Sequence, residues 1–285
     1  MVEKANSARG NGMQFAKNEG QIIDMNNRLR TDILYVGDGG GLKAYLTKTG
    51  VSYVIVKAEG KKEAPQKYME RLKKGEGSQK PENDNRNIKG HRIDMDFVGC
   101  NQDISIIHSE KVEGYLNYYL AHCPNGITGV ASYNRVIYKD VYPNIDVVYY
   151  GGKENGLKYD IVIRPGGNPN DIKIQYRGAD GIEIRNEELK IKSSLKEITE
   201  NLPRVYQNID KKIVEVKAKY MLDNISEEEA TLHFSLPTYN PSFPLVIDPW
   251  LTYYGGSDID YCNDIAVDTS GNVGVTGIIQ SLNFP

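Results

Sequence analysis

Val147-Val148-Tyr149-Tyr150, Leu157-Lys158-Tyr159-Asp160-Ile161-Val162-Ile163 and the closing Arg164-Pro165-Gly166-Gly167 decide the fold. The first run reads as a buried strand. The second reads as another, stopped by a turn whose Pro fixes φ and whose Gly admits positive φ. The same rhythm runs outward in both directions. Upstream, Leu42 to Leu46 and Val51 to Val56 flank the turn Thr47-Lys48-Thr49-Gly50, a hairpin signature. His91-Arg92-Ile93-Asp94-Met95-Asp96-Phe97-Val98 alternates polar and apolar with the period of a strand. Asp103 to His108, Val112 to Leu120 and Tyr133 to Tyr138 continue the series. Downstream come Ile172 to Tyr176, Ile182 to Arg185, Leu189 to Ile191, Arg204 to Ile209, Ile213 to Leu222, Ala230 to Leu236 and Pro244 to Pro249. Strands about every 8–12 residues, punctuated by turns, predict an all-β chain. The expected architecture is an antiparallel β-sandwich-type region, one large or two small, because short antiparallel strands bury one face. No amphipathic helix of several turns is visible, which excludes most α/β enzyme folds.

Composition bounds the function classes. The chain has 285 residues and a net charge of −3, so it lacks the excess Lys and Arg that a phosphate-binding surface needs. No nucleic-acid partner is expected. No stretch approaches the roughly 20 apolar residues that span a bilayer, so no membrane insertion is expected. Tyrosine fills the aromatic quota, with 20 Tyr against 5 Phe and 1 Trp. Tyr suits strands with one wet face, because its ring buries while its hydroxyl stays hydrated. Met1-Val2-Glu3-Lys4 lacks the apolar run of a signal peptide. Either the chain is cytosolic or its signal has been removed. Cys100, Cys123 and Cys262 are too few for a disulfide scaffold and fit no common zinc spacing. A Cys100–Cys123 bridge is the alternative to reduced, half-buried thiols.

Residues 1–12 are polar and Gly-rich, and are expected to be disordered. The β region is expected over 13–250, interrupted at 59–90 by a polar, Lys/Glu/Asn-rich excursion. Within it, 63–73 is compatible with a helical turn. The last segment, 251–285, changes character. Tyr253-Tyr254-Gly255-Gly256-Ser257 leads to Ile265-Ala266-Val267-Asp268, the turn Thr269-Ser270-Gly271-Asn272, Val275-Thr276-Gly277 and Asn283-Phe284-Pro285. This is strand, turn, strand, and one such hairpin cannot bury its apolar face alone.

That segment resembles the repeat of bacterial seven-bladed β-propellers (SBBP-type). It departs from the pattern at Gly274, where an aromatic is more usual. The resemblance implies a first, truncated propeller repeat, with further repeats downstream as partners in a longer chain. The upstream markers are Asn18-Glu19-Gly20-Gln21, Asn117-Tyr118-Tyr119-Leu120, Asp140-Val141-Tyr142-Pro143-Asn144-Ile145-Asp146 and Pro244-Leu245-Val246-Ile247-Asp248-Pro249. In this order they resemble an uncharacterised bacterial N-terminal β-rich domain that precedes such repeats in secreted Bacteroidetes-like proteins. That likeness implies a secreted or cell-surface module and carries no catalytic residue.

Candidate chemistry is sparse. His91, His108, His122 and His233 include one neighbour of a cysteine, His122 beside Cys123, but adjacent strand residues face opposite ways. Neither a Gly-x-Ser-x-Gly elbow, a His-Glu-x-x-His helix nor a phosphate loop occurs. A glycosidase pair needs two carboxylates about 5–10 Å apart in a cleft, which sequence cannot locate. Asp140, Asn144 and Asp146 have oxygens at a spacing that suits calcium, and so do Asp258, Asp260 and Asp264 in the terminal repeat. The competing reading gives Asp140 and Asn144 to backbone amides of the Tyr142-Pro143 turn. No other cofactor is expected. The Tyr-rich strands suit stacking on a glycan or contact with a protein at the cell surface. The expected function is therefore a non-catalytic binding or scaffold module. An extracellular carbohydrate-active or other hydrolytic enzyme is one rival, and a structural spacer the other.

Overall fold

The structure, a computed structural model, describes residues 13–39, 42–59, 87–151, 156–226, 228–252, 260–267 and 273–279. Its strands are β1 (Phe15–Lys17), β2 (Tyr35–Gly39), β3 (Leu42–Leu46), β4 (Gly50–Glu59), β5 (Asn87–Phe97), β6 (Ser105–Lys111) and β7 (Leu116–Leu120). They continue with β8 (Cys123–Val130), β9 (Ser132–Tyr142), β10 (Ile145–Gly151), β11 (Leu157–Ile163), β12 (Ile174–Arg177), β13 (Gly181–Arg185) and β14 (Glu188–Lys192). The last are β15 (Glu197–Ile209), β16 (Lys212–Val216), β17 (Lys219–Asn224), β18 (Glu229–Ser235), β19 (Leu245–Thr252), β20 (Asp260–Val267) and β21 (Val273–Ile279). Apart from a short 3₁₀ turn at Pro169–Asp171, no helix occurs among the described residues. The all-β, antiparallel expectation holds.

Facing layers belong to one continuous sheet. Its ladders run β17-β18-β12-β5-β4-β3-β2-β1-β9-β10-β11-β19-β15-β14-β13. β6 flanks the other edge of β9, and β16 flanks β15 beside β14. The sheet wraps into a barrel whose ends meet where β13 packs against β17 and β18. Wrapping answers the edge problem of a long antiparallel sheet. β7–β8 and β20–β21 form separate two-stranded sheets.

The hairpin expected around Thr47–Gly50 is β3–β4. Gly50 is needed there because a Cβ would stand 2.0 Å from the Met95 carbonyl oxygen. The β4–β5 ladder reaches Glu59↔Asn87, so pairing continues into the flanks of the stretch read as a polar excursion. The helical turn suggested for 63–73 lies outside the described residues. The Cys100–Cys123 bridge does not form: both thiols are free, Cys100 buried and Cys123 half-buried.

Inward positions alternate as the period-two pattern predicts. Leu42, Ala44 and Leu46 of β3, Ile93, Met95 and Phe97 of β5, and Tyr159 and Ile161 of β11 are all buried. Buried polar side chains interrupt this apolar interior, Glu200 foremost. Glu200 of β15 is fully buried and accepts hydrogen bonds from the hydroxyls of Tyr220 (2.9 Å), Tyr159 (3.1 Å) and Tyr176 (3.2 Å). Burial pushes its carboxyl upward, against the three hydroxyls that lower it. Tyr220 also reaches the Asn201 carbonyl at 2.9 Å, and one hydroxyl proton cannot serve two acceptors.

Candidate functional site

The Asp140–Asp146 motif builds the β9–β10 turn. Asp140 (φ 55°) and Asn144 (φ 60°) occupy left-handed positions, which Asp and Asn tolerate best among non-glycine residues. Asp146, 4% exposed, accepts the Asp140 amide at 2.9 Å and pairs with Lys139. Arg164, from the turn after β11, pairs with both Asp140 and Asp146. The amide partner is thus Asp146, not the Asp140 or Asn144 side chain of the sequence reading. Asn144 contributes its carbonyl, which accepts the Arg164 amide at 2.9 Å. Two cations, Lys139 and Arg164, pair with the Asp140 and Asp146 carboxylates considered for calcium. Asp260 and Asp264 lie on β20 and Asp258 lies outside the described residues. No group of three or more metal-capable side chains occurs among the described residues.

The histidines have ordinary partners. His91 bonds Ser194 Oγ (2.9 Å) and the Gly178 carbonyl (2.8 Å). His108 meets the Tyr35 hydroxyl at 3.2 Å and packs on Tyr133 with ring centroids 4.1 Å apart. His122 reaches the Gly20 carbonyl (3.1 Å), and His233 pairs with Asp223 (2.9 Å). A groove lined by Asp32, Asp94 and Asp96 carries its own counter-ions. Arg30 pairs with Asp32, Arg92 with Asp94 and Arg177 with Asp96.

Two arrangements stand out. The first is a carboxyl pair on the outer face of the barrel. The β11–β19 register, Ile161↔Ile247, sets Asp160 beside Asp248 on the next rung. The Tyr150 hydroxyl of β10 donates to Asp160 Oδ1 at 2.7 Å, while Asp248 Oδ1 is buried without a partner. Burial and then the Asp248 charge raise Asp160 to about 7, against Tyr150, Lys158 and Arg135. Asp248 is also raised, by burial, against the charge of Lys158, a hydrogen bond with Asp160 and the charge of Arg204. The Asp248 charge opposes ionisation of Asp160, so the two carboxyls titrate as a linked pair.

The second arrangement is the β7–β8 hairpin. Tyr118 and Ile127 pair and are half-buried, and Val130, opposite Leu116, is buried. The other face presents Tyr115 (68% exposed) and Tyr119 (71% exposed). Between them Asn117 accepts the Gly129 amide at 3.0 Å, which fixes the hairpin backbone. Tyr119 lies against Gly126 (φ 78°), where a Cβ would stand 2.7 Å from the ring. The Cδ1–Cε1 side of the ring is thus seated near the Gly126 backbone while most of the side chain stays open to solvent. Leu116, Leu120 and Ile107 extend the exposed apolar surface. From Gly114 to Asn134 there is no Lys, Arg, Asp or Glu, in a chain that is 26% charged. The sequence singled out Tyr118-Tyr119 without saying which ring faces outward. The carboxyl pair was not legible at all, because Asp160 and Asp248 are far apart in sequence.

Comparison with known families gives two matches. A family model described as Domain of unknown function (DUF7948) matches residues 15–250. A second, described as Beta-propeller repeat (SBBP), matches residues 250–285. No curated protein and no solved structure matches the chain.

Proposed function

The chain belongs to the DUF7948 family and runs on into a β-propeller repeat, and from that premise we propose a non-catalytic binding or scaffold module at the cell surface or in the secreted space. One observation carries the reading: the uncharged outer face of β7–β8, where Tyr115 and Tyr119 stand open to solvent. Large rigid aromatic side chains with a polar tip bind at low entropic cost, and they stack on flat apolar ring faces. An uncharged face favours a partner without strong charge, such as a neutral glycan or a neutral protein patch. The carboxylates described above are engaged by cations, hydroxyls or one another, which supports a binding role over hydrolysis.

The test is a glycan-array and surface-extract binding screen with the whole chain, with and without calcium. Binding is expected, independent of calcium, and the double variant Tyr115→Ala/Tyr119→Ala is expected to weaken it at least about tenfold, in the range of aromatic anchor losses. Binding that survives the double substitution removes the face from consideration. No binding at all sinks the recognition reading.

A further inference from the structure

β19 is the strand through which the barrel hands over to the β-propeller repeat, whose match begins at residue 250. Its grip weakens just there. The β11–β19 ladder ends at Ile161↔Ile247, and the β15–β19 ladder is broken by a bulge between Asn201↔Trp250 and Arg204↔Asp248. Both residues at the break that lack an amide proton, Pro203 and Pro249, contribute to the weakness. Asp160 and Asp248 sit at this point. We propose that Asp160 and Asp248 form a proton-operated latch that holds the start of the β-propeller repeat against the barrel.

With a proton between them, the carboxyls bridge β11 to β19 one rung beyond the last backbone pair. With both ionised, the same contact is repulsive, and β19 beyond Ile247 is held by β15 alone, through Asn201↔Trp250, Glu200↔Leu251 and Thr199↔Thr252. The groups that face the pair are Arg135 from β9, Tyr150 from β10, Lys158 from β11, and Arg204 and Tyr206 from β15. Lys158 and Arg135 oppose the rise at Asp160, and Lys158 and Arg204 oppose it at Asp248. Arg204 is engaged by Glu215 of β16 at 3.1 Å and lies over Tyr206, and Arg135 lies over the Tyr150 ring. Asp248 Oδ1 keeps no partner, which an ionised carboxylate in this position would not tolerate well.

The chain has one tryptophan, Trp250, two residues beyond Asp248, so the junction reports on itself. Tryptophan fluorescence is followed from about pH 5 to about pH 9, and hydrogen-exchange protection of Trp250 to Thr252 is measured relative to unfolded-peptide rates at each pH. A transition centred near neutrality is expected, with protection falling about tenfold per pH unit across it. Asp160→Asn and Asp248→Asn, checked for native circular dichroism, are expected to abolish the transition. A transition unchanged in both variants, or constant protection in the parent chain, overturns the latch. Carboxyl-carbon NMR of the unsubstituted chain gives a second reading: one group of the pair titrates near neutrality, and titration of both below about pH 5 refutes the proposal.

Discussion

At the scale of the residue, Glu200 shows how one polar atom group organises an apolar interior. Its carboxyl gathers hydroxyls from β11, β12 and β17, strands that enter the sheet at distant points. Removing it leaves three buried hydroxyls to find new acceptors, each loss costing about 1–3 kcal/mol. Glu200→Ala is expected to lower the unfolding free energy by at least about 3 kcal/mol in urea titration. Glu200→Gln, neutral and nearly isosteric, is expected to cost less than half as much. Equal losses in the two variants would mean that the native carboxyl is ionised. Nothing in Ile198-Thr199-Glu200-Asn201-Leu202 marks Glu200 as the centre of a barrel. Alternation places its side chain on the buried face, and only the wrap of the sheet brings three tyrosines round it.

At the scale of the element, the β9–β10 hairpin depends on a cluster that the sequence shows only in part. Asp140, Asn144 and Asp146 were legible as a polar cluster because they fall within seven residues. Lys139 adjoins them, but Arg164 arrives from beyond the next strand, so the electrostatic content of the turn was hidden. Asp146→Ala leaves Lys139 and Arg164 without their shared anion and strips the Asp140 amide of its acceptor. A loss of about 2–3 kcal/mol is expected by thermal or chemical unfolding, in line with hydrogen bonds to charged groups. A negligible loss would show that solvent replaces the carboxylate. The Asn18-Glu19-Gly20-Gln21 motif has a similar explanation. Asn18 donates to the carbonyls of Arg30 (2.9 Å) and Ile33 (2.8 Å), and Gln21 donates to that of Lys17 (2.6 Å). These side chains hold the loop between β1 and β2, so the motif serves architecture.

At the scale of the whole molecule, strand content was readable and closure was not. Period-two alternation and turn chemistry locate strands, but β1 pairing with β9, β5 with β12 and β15 with β19 link distant sequence that alternation leaves open. Stability against pH is also a whole-molecule property. Asp160, Asp248 and Glu200 have raised folded values, so at these three groups the native state binds more protons than the unfolded chain, while Asp24, Asp32 and Glu183 are lowered and act the other way. The stability that the raised carboxyls contribute is full below the ordinary carboxyl range and is lost as pH rises from about 4 towards about 7, where Asp160 titrates. Scanning calorimetry is expected to show the melting temperature falling over that interval, and Asp160→Asn is expected to flatten the fall. A melting temperature that climbs steadily to neutrality would contradict the sign. The position of β19 adds a mechanical consequence. It is bonded to β11 on one edge and to β15 on the other. Tension applied along β19 from beyond Thr252 therefore loads the short β15 ladder at Trp250 to Thr252 first, and both ladders in shear once it passes the bulge. Their bonds resist together, whereas peeling would break them singly, so the barrel is built to anchor whatever the repeat transmits to it.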